Sequence, residues 1–130
     1  MSKRSRLFSE LVRKWVQKTW LGWWKIDIRY FSNKEYAKVR GYSKKHARNS
    51  VATCRVNWGY LEAFIDVNSS AIKNMNDEEL EYAVVHELMH IFLNEMREKG
   101  IEHEERVATL LARSFILCGG SQLEELVESK

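Results

Sequence analysis

The stretch from Leu80 to Leu93 constrains this chain more than any other, because its apolar residues cannot be confined to one side of a regular element. Placed at 100° per residue, Leu80, Tyr82, Ala83, Val84, Val85, Leu88, Met89, Ile91, Phe92 and Leu93 surround a helix axis. A helix that is apolar on every side has to be buried on every side. Asn76 with Glu79 three residues on forms a capping-box pattern, and Asp77, Glu78 and Glu79 suit the positive end of a helix dipole. A helix is therefore expected to begin near Asp77 and to run through the middle of the core. The chain has 130 residues and is 45% hydrophobic, which gives room for one such core and one domain spanning 1–130.

The elements that cover this helix can be read around it. From Ser5 to Trp20, Leu7, Phe8, Leu11, Val12, Trp15, Val16 and Trp20 recur at helical spacing with basic residues elsewhere, so residues 1–22 read as an amphipathic basic helix ended by Gly22. Trp24, Ile26, Ile28 and Tyr30 alternate with polar residues as in a half-buried strand. A second short strand is expected around Tyr36 to Tyr42, followed by a basic loop, Lys44 to Asn49. Two further runs, Val51 to Trp58 and Tyr60 to Val67, flank Gly59 and read as antiparallel strands joined by a tight turn. Residues 23–67 thus form a small, mainly antiparallel sheet of 3–4 strands. Helical periodicity resumes from Glu102 to Leu117 through Val107, Ala108, Leu110, Leu111, Ala112, Phe115 and Ile116, Gly119-Gly120 stops it, and 119–130 is a frayed acidic tail. The fold class is α+β.

Charge is divided unevenly along the chain. Residues 1–50 carry 14 Lys/Arg against 3 Asp/Glu, and residues 51–130 carry 7 against 15. The basic half is either a surface for nucleic acid or the complement of the acidic half within one fold. Cys54 and Cys118 form no Cys-x-x-Cys pair and read as reduced, packed thiols, not as metal ligands. No apolar run is long enough to span a bilayer and the N-terminus lacks a signal-peptide pattern, so a cytoplasmic setting without membrane attachment is expected.

Into the apolar helix the sequence inserts His86, Glu87 and His90. Unpaired polar groups in such a place cost several kcal/mol each, on the order of 2–7 kcal/mol, so the insertion calls for a compensating partner. Histidines four residues apart lie on one helical face, and both Nε2 atoms can reach one ion at about 2.0–2.1 Å. Glu87 projects to one side of the pair, where it can take a proton without filling a coordination position. His86-Glu87-Leu88-Met89-His90 therefore predicts a zinc ion (Zn2+) and hydrolysis by a metal-activated water, with Glu87 as general base.

A catalytic zinc usually has three protein ligands, and the helix beginning His103-Glu104-Glu105-Arg106 supplies the candidates for the third. Glu104 stacks under Ala108, Leu111 and Phe115 near the middle of the inward arc, Glu105 shares an edge with Ala112 and Ile116, and His103 lies nearer a border. Glu104 is the first choice, Glu105 the second and His103 the third. A straight helix to Lys99 would run about 14 Å beyond His90 at 1.5 Å per residue and leave Glu104 out of reach. The first helix is therefore expected to stop around Leu93 to Asn94.

With both helices in hand, the chain resembles the zincin metallopeptidases of His-Glu-x-x-His type, and among them the gluzincins, whose third ligand is a Glu on the next helix. Its nearest likeness is to minimal metallopeptidase-like proteins of phages and mobile elements. The specific stretches are 84–90 and 104–112; the metzincin arrangement of Gly and a third His after His90 is missing. The resemblance implies a zinc metalloendopeptidase in which His86, His90 and Glu104 bind the metal and Glu87 acts as base and then acid. It implies a protein or peptide substrate lying along an edge strand, Val51 to Trp58 or Tyr60 to Val67, and host cytoplasm if phage-encoded. Tyr60, Tyr82 and His103 are the candidates for stabilising the developing oxyanion. The alternatives are a nucleic-acid-associated protein that works through its basic half, with a structural metal or none, and a SprT-like protease acting on DNA-bound proteins.

Overall fold

The structure is a computed structural model and describes residues 2–19, 21–94 and 104–119. His103 and residues 120–130 of the expected tail lie outside them.

Helix α1, Lys3–Lys18, starts where the Ser2 hydroxyl accepts the Ser5 N–H at 3.1 Å, and it ends at Thr19, before Gly22. Phe8, Val12 and Trp15 give it the buried stripe that the sequence period required. Strand β1 is Lys25–Phe31, β2 is Ala52–Asn57 and β3 is Glu62–Asn68. They form a three-stranded mixed sheet in the order β1-β3-β2. β2 is antiparallel to β3, from Ala52 opposite Val67 to Asn57 opposite Glu62, whereas β1 is parallel to β3, from Lys25 opposite Glu62 to Phe31 opposite Asn68. A parallel pair needs a crossover connection, and everything between residues 32 and 61 supplies it.

That crossover corrects two expectations. Residues 36–42 are not a strand: they fall in and just after helix α2, Asn33–Arg40, and the loop at 44–49 holds a short helix α3, Lys44–Arg48. The reason is local. Ser32 accepts the Glu35 N–H as an N-cap, and Gly41, at φ 70°, supplies the left-handed C-cap that other residues reach only at a cost. The β2–β3 connection is a 3-10 turn over Trp58–Tyr60, with Leu61 in place of Gly59 taking the positive φ of 52°.

Helix α4 is Ser69–Ile72, α5 is Asp77–Phe92 and α6 is Glu104–Gly119. Both halves of the Asn76/Glu79 capping box are made, at 2.8 and 3.0 Å. α5 stops at Leu93, as the third-ligand geometry required. Along α5, Leu80, Val84, Val85, Leu88 and Met89 are fully buried, while Phe92 at the last turn is half exposed.

One sheet face, carrying Ile26, Ile28, Ala63, Ile65, Val67 and Cys54, packs with α1 and α5 into the main core. The opposite face carries α2 and α3 over a small cluster of Tyr36, Ala37 and Ala47, with Phe31 and Tyr42 against it. Asn68 ties this second layer down. Its Nδ2 donates to the carbonyl of Ala47 at 2.8 Å and to Asn33 Oδ1 at 2.9 Å, and its Oδ1 accepts the Ser70 N–H. The basic and acidic halves meet along α1 and α5, where Arg4 pairs with Asp77 at 2.7 Å and Lys14 with Glu81 at 2.9 Å. Both cysteines are free; Cys54 is packed as expected, but Cys118 is exposed. No described helix is long and apolar enough to cross a membrane.

Candidate metal centre and its cleft

Sixteen unbroken residues of α5 set His86 and His90 one turn apart, with ring centroids 5.1 Å from one another and planes inclined by 26°. His90 is buried and His86 is partly open to the cleft. Because α5 ends at Leu93, α6 can return across it with its first turn beside the two imidazoles. The small residues Ala108 and Ala112, both fully buried, form the buried stripe of α6, and they place Glu104 and Glu105 at the histidines from two sides. The other side chains of the expected inward arc are less covered; Leu110 and Phe115 are exposed.

The two glutamates divide the contacts. Glu105 reaches both Nε2 atoms, Oε2 lying 3.0 Å from His86 and Oε1 2.8 Å from His90. Glu104 lies on the other side of His90, with Oε1 2.7 Å from Nδ1. Thus Glu105, and not the first-choice Glu104, shares a focus with the two Nε2 atoms: Glu104, 13% exposed, lies on the buried side of α6 with Ala108 and Ala112, while Glu105, 70% exposed, reaches both rings from the open side. His86, His90 and Glu105 each present one donor atom within 4.8 Å of the others.

This donor set fits a zinc ion on two grounds. Atoms bound tetrahedrally at 2.0–2.1 Å sit about 3.3–3.4 Å from one another, and the three donors, one from each residue, already lie within 4.8 Å of one another. A carboxylate at Nδ1 also favours the tautomer whose Nε2 lone pair is free, and this backing is a regular feature of metal-binding histidines. Burial pushes the His86 pKa below its ordinary value, partly opposed by the charge of Glu105, which favours the neutral ring that a ligand must be.

The donors open into a cleft of about 980 Å³, a size suited to a small ligand or a peptide segment. One wall is α5 with Glu78, Glu79, Tyr82 and the buried Glu87; the floor is the β2 edge from Val51 to Cys54; the far wall carries Arg40 and Tyr42. Of the expected oxyanion partners, Tyr82 lines this cleft and meets His86 edge-on at 5.8 Å. Tyr60 is exposed and is not part of the lining.

The sequence reading missed the far wall altogether, since a strand over 36–42 would have put Arg40 elsewhere. Behind Arg40 lies Asp66, which is fully buried. Arg29 binds both of its oxygens, at 2.8 and 3.1 Å, while Arg55 and Arg40 stand 3.6 and 3.8 Å from Oδ2. The capping signature Ser32-Asn33-Lys34-Glu35 was the signal that could have found this wall. Compared with protein-family models, with curated proteins and with solved structures, the chain matches none.

Proposed function

We propose that this chain is a zinc-dependent metallopeptidase of zincin type, in which His86, His90 and Glu105 hold the metal. The observation that carries the reading is the meeting of the Glu105 carboxylate with both Nε2 atoms at a cleft of about 980 Å³, where three such donors converge. When bound, zinc supplies a Lewis acid and brings the pKa of water down toward neutrality. The chain's own residues do the remainder. Glu104 is a positioning residue that fixes the His90 ring and its tautomer. Glu87, buried beside the donors without being one of them, takes the proton of the attacking water and returns it to the leaving amine. The edge of β2 is open to strand addition, so a peptide can lie along the floor and bond main chain to main chain whatever its sequence.

A second reading, a protease acting on DNA-bound proteins, is favoured by one observation. The cations of α1 are partly neutralised by α5, but Lys34, Lys38, Lys44, Lys45 and Arg48 on α2 and α3 make no ion pair among the described residues, and their helices border the cleft. Binding to duplex DNA that falls steeply with salt supports it, and a flat salt response excludes it.

The peptidase reading is tested with zinc-loaded protein and unfolded casein. Wild type should cleave casein and lose the activity to a chelator, while Glu87→Gln should keep its zinc and lose about 10²–10⁴-fold in rate. Equal cleavage by wild type and Glu87→Gln would exclude the assigned base.

A further inference from the structure

The wall facing the metal centre is built to hold negative charge that the chain itself does not provide. Asp66 is one carboxylate among three guanidinium groups, and Arg29 occupies both of its oxygens. Arg55 and Arg40 lie beyond the ordinary hydrogen-bond length of about 2.7–3.2 Å from it. Arg29 and Arg55 each rest over an aromatic ring, Phe31 at 5.2 Å and Phe64 at 5.1 Å. Arg40 differs. It lines the cleft, its side chain is 24% exposed, and its only ion pair among the described residues is the 3.8 Å approach to Asp66.

One buried side-chain donor on this wall, Arg40 Nε, lacks a hydrogen-bond partner among the described residues. Buried donors are almost always satisfied, and an unsatisfied one at a binding wall is best explained by a ligand that satisfies it. The cleft is also electrically divided, because its α5 wall carries Glu78, Glu79 and Glu87. Among the side chains of the lining, an anionic group therefore gains on the Arg40 side, and a guanidinium fork matches a carboxylate in geometry as well as charge.

We propose that Arg40 forms a carboxylate-binding subsite, so that the cleft selects peptides with an acidic side chain, or a terminal carboxylate, on the side away from α5. This rests on the cleft being a peptide-binding site. Side chains of a strand laid along β2 alternate in direction, so every second residue of the peptide is offered to Arg40. The excess charge of the cluster keeps the preference even though Asp66 lies behind it.

The test uses a fluorescein-labelled, C-terminally amidated Ala/Ser decapeptide with a single central Glu, the same peptide with Gln, and an uncharged version ending in a free carboxylate. Binding is read by anisotropy on Glu87→Gln protein, so the result stands whether or not wild type hydrolyses the peptides. The Glu peptide should bind about tenfold more tightly than the Gln peptide, in line with a charge-assisted hydrogen bond. Arg40→Gln should abolish the difference, and Arg40→Lys should keep part of it. If the terminal carboxylate is preferred instead and loses its advantage in Arg40→Gln, the subsite binds chain ends. Equal binding of the Glu and Gln peptides together with no gain from the free terminus overturns the proposal, as does a preference that survives Arg40→Gln. Circular dichroism checks that Arg40→Gln is folded; if it is not, Arg40→Lys and the Glu-against-Gln contrast decide.

Discussion

The two walls of the cleft handle buried charge in opposite ways. On the α5 side, His86 and His90 are matched by Glu104 and Glu105 within 3.0 Å, and the imidazoles sit on a capped helix whose buried residues run from Leu80 to Ile91. On the α2 side, one fully buried carboxylate is surrounded by three arginines, and the two helices that carry the wall are short and held through Asn68. The first wall is acidic and positions its groups closely. The second is left with surplus positive charge and an unsatisfied donor. Rigidity suits a set of ligands that must converge on one point, while surplus charge suits recognition of something that arrives from outside.

The largest expected effect separates the two glutamates of the first wall. Glu105→Ala should weaken zinc binding by more than about 100-fold, since it removes a ligand, while Glu104→Ala should weaken it by about 10–100-fold, the usual range for a residue behind a ligand. Calorimetric zinc titration of both variants checks this. The reverse order would return the third ligand to Glu104. A smaller effect tests whether the walls are independent. Asn68→Ala removes a buried amide that bonds α2, α3 and α4, and it should cost about 2–3 kcal/mol of stability in urea unfolding while leaving zinc affinity unchanged. A parallel loss of zinc affinity would mean that the second wall also shapes the metal centre.

The same contrast governs how much could be read from the sequence. The first wall was legible because its information is local: the Asn76/Glu79 box marks the start of α5, the all-round apolar pattern its burial, and the 86–90 spacing its chemistry. Even the early end of α5 followed from helix length, once a third ligand on the next helix had to reach the histidines. Choosing between Glu104 and Glu105 did not, because the wheel favours the buried position, whereas the residue that meets both Nε2 atoms is Glu105, which reaches them from the open side of α6. On the second wall, Ser32 and Glu35 carry the same capping signature as Asn76 and Glu79, but the short stretch from Tyr36 to Tyr42 was read as a strand. The parallel pairing of β1 with β3 was hidden for a related reason. A β1–β3 crossover is seen only once α2 and α3 are recognised as helices. The arginine cluster joins residues 29, 40, 55 and 66, and no sequence spacing announces such a gathering.

All of this turns on whether His86 and His90 bind one metal ion. Zinc content after dialysis, measured by atomic emission on wild type and on the His86→Ala/His90→Ala double variant, tests it most directly. The account predicts about one zinc per chain in wild type and none in the double variant, with the fold retained in both. A wild type that holds no zinc, or a double variant that holds as much as wild type, would contradict it.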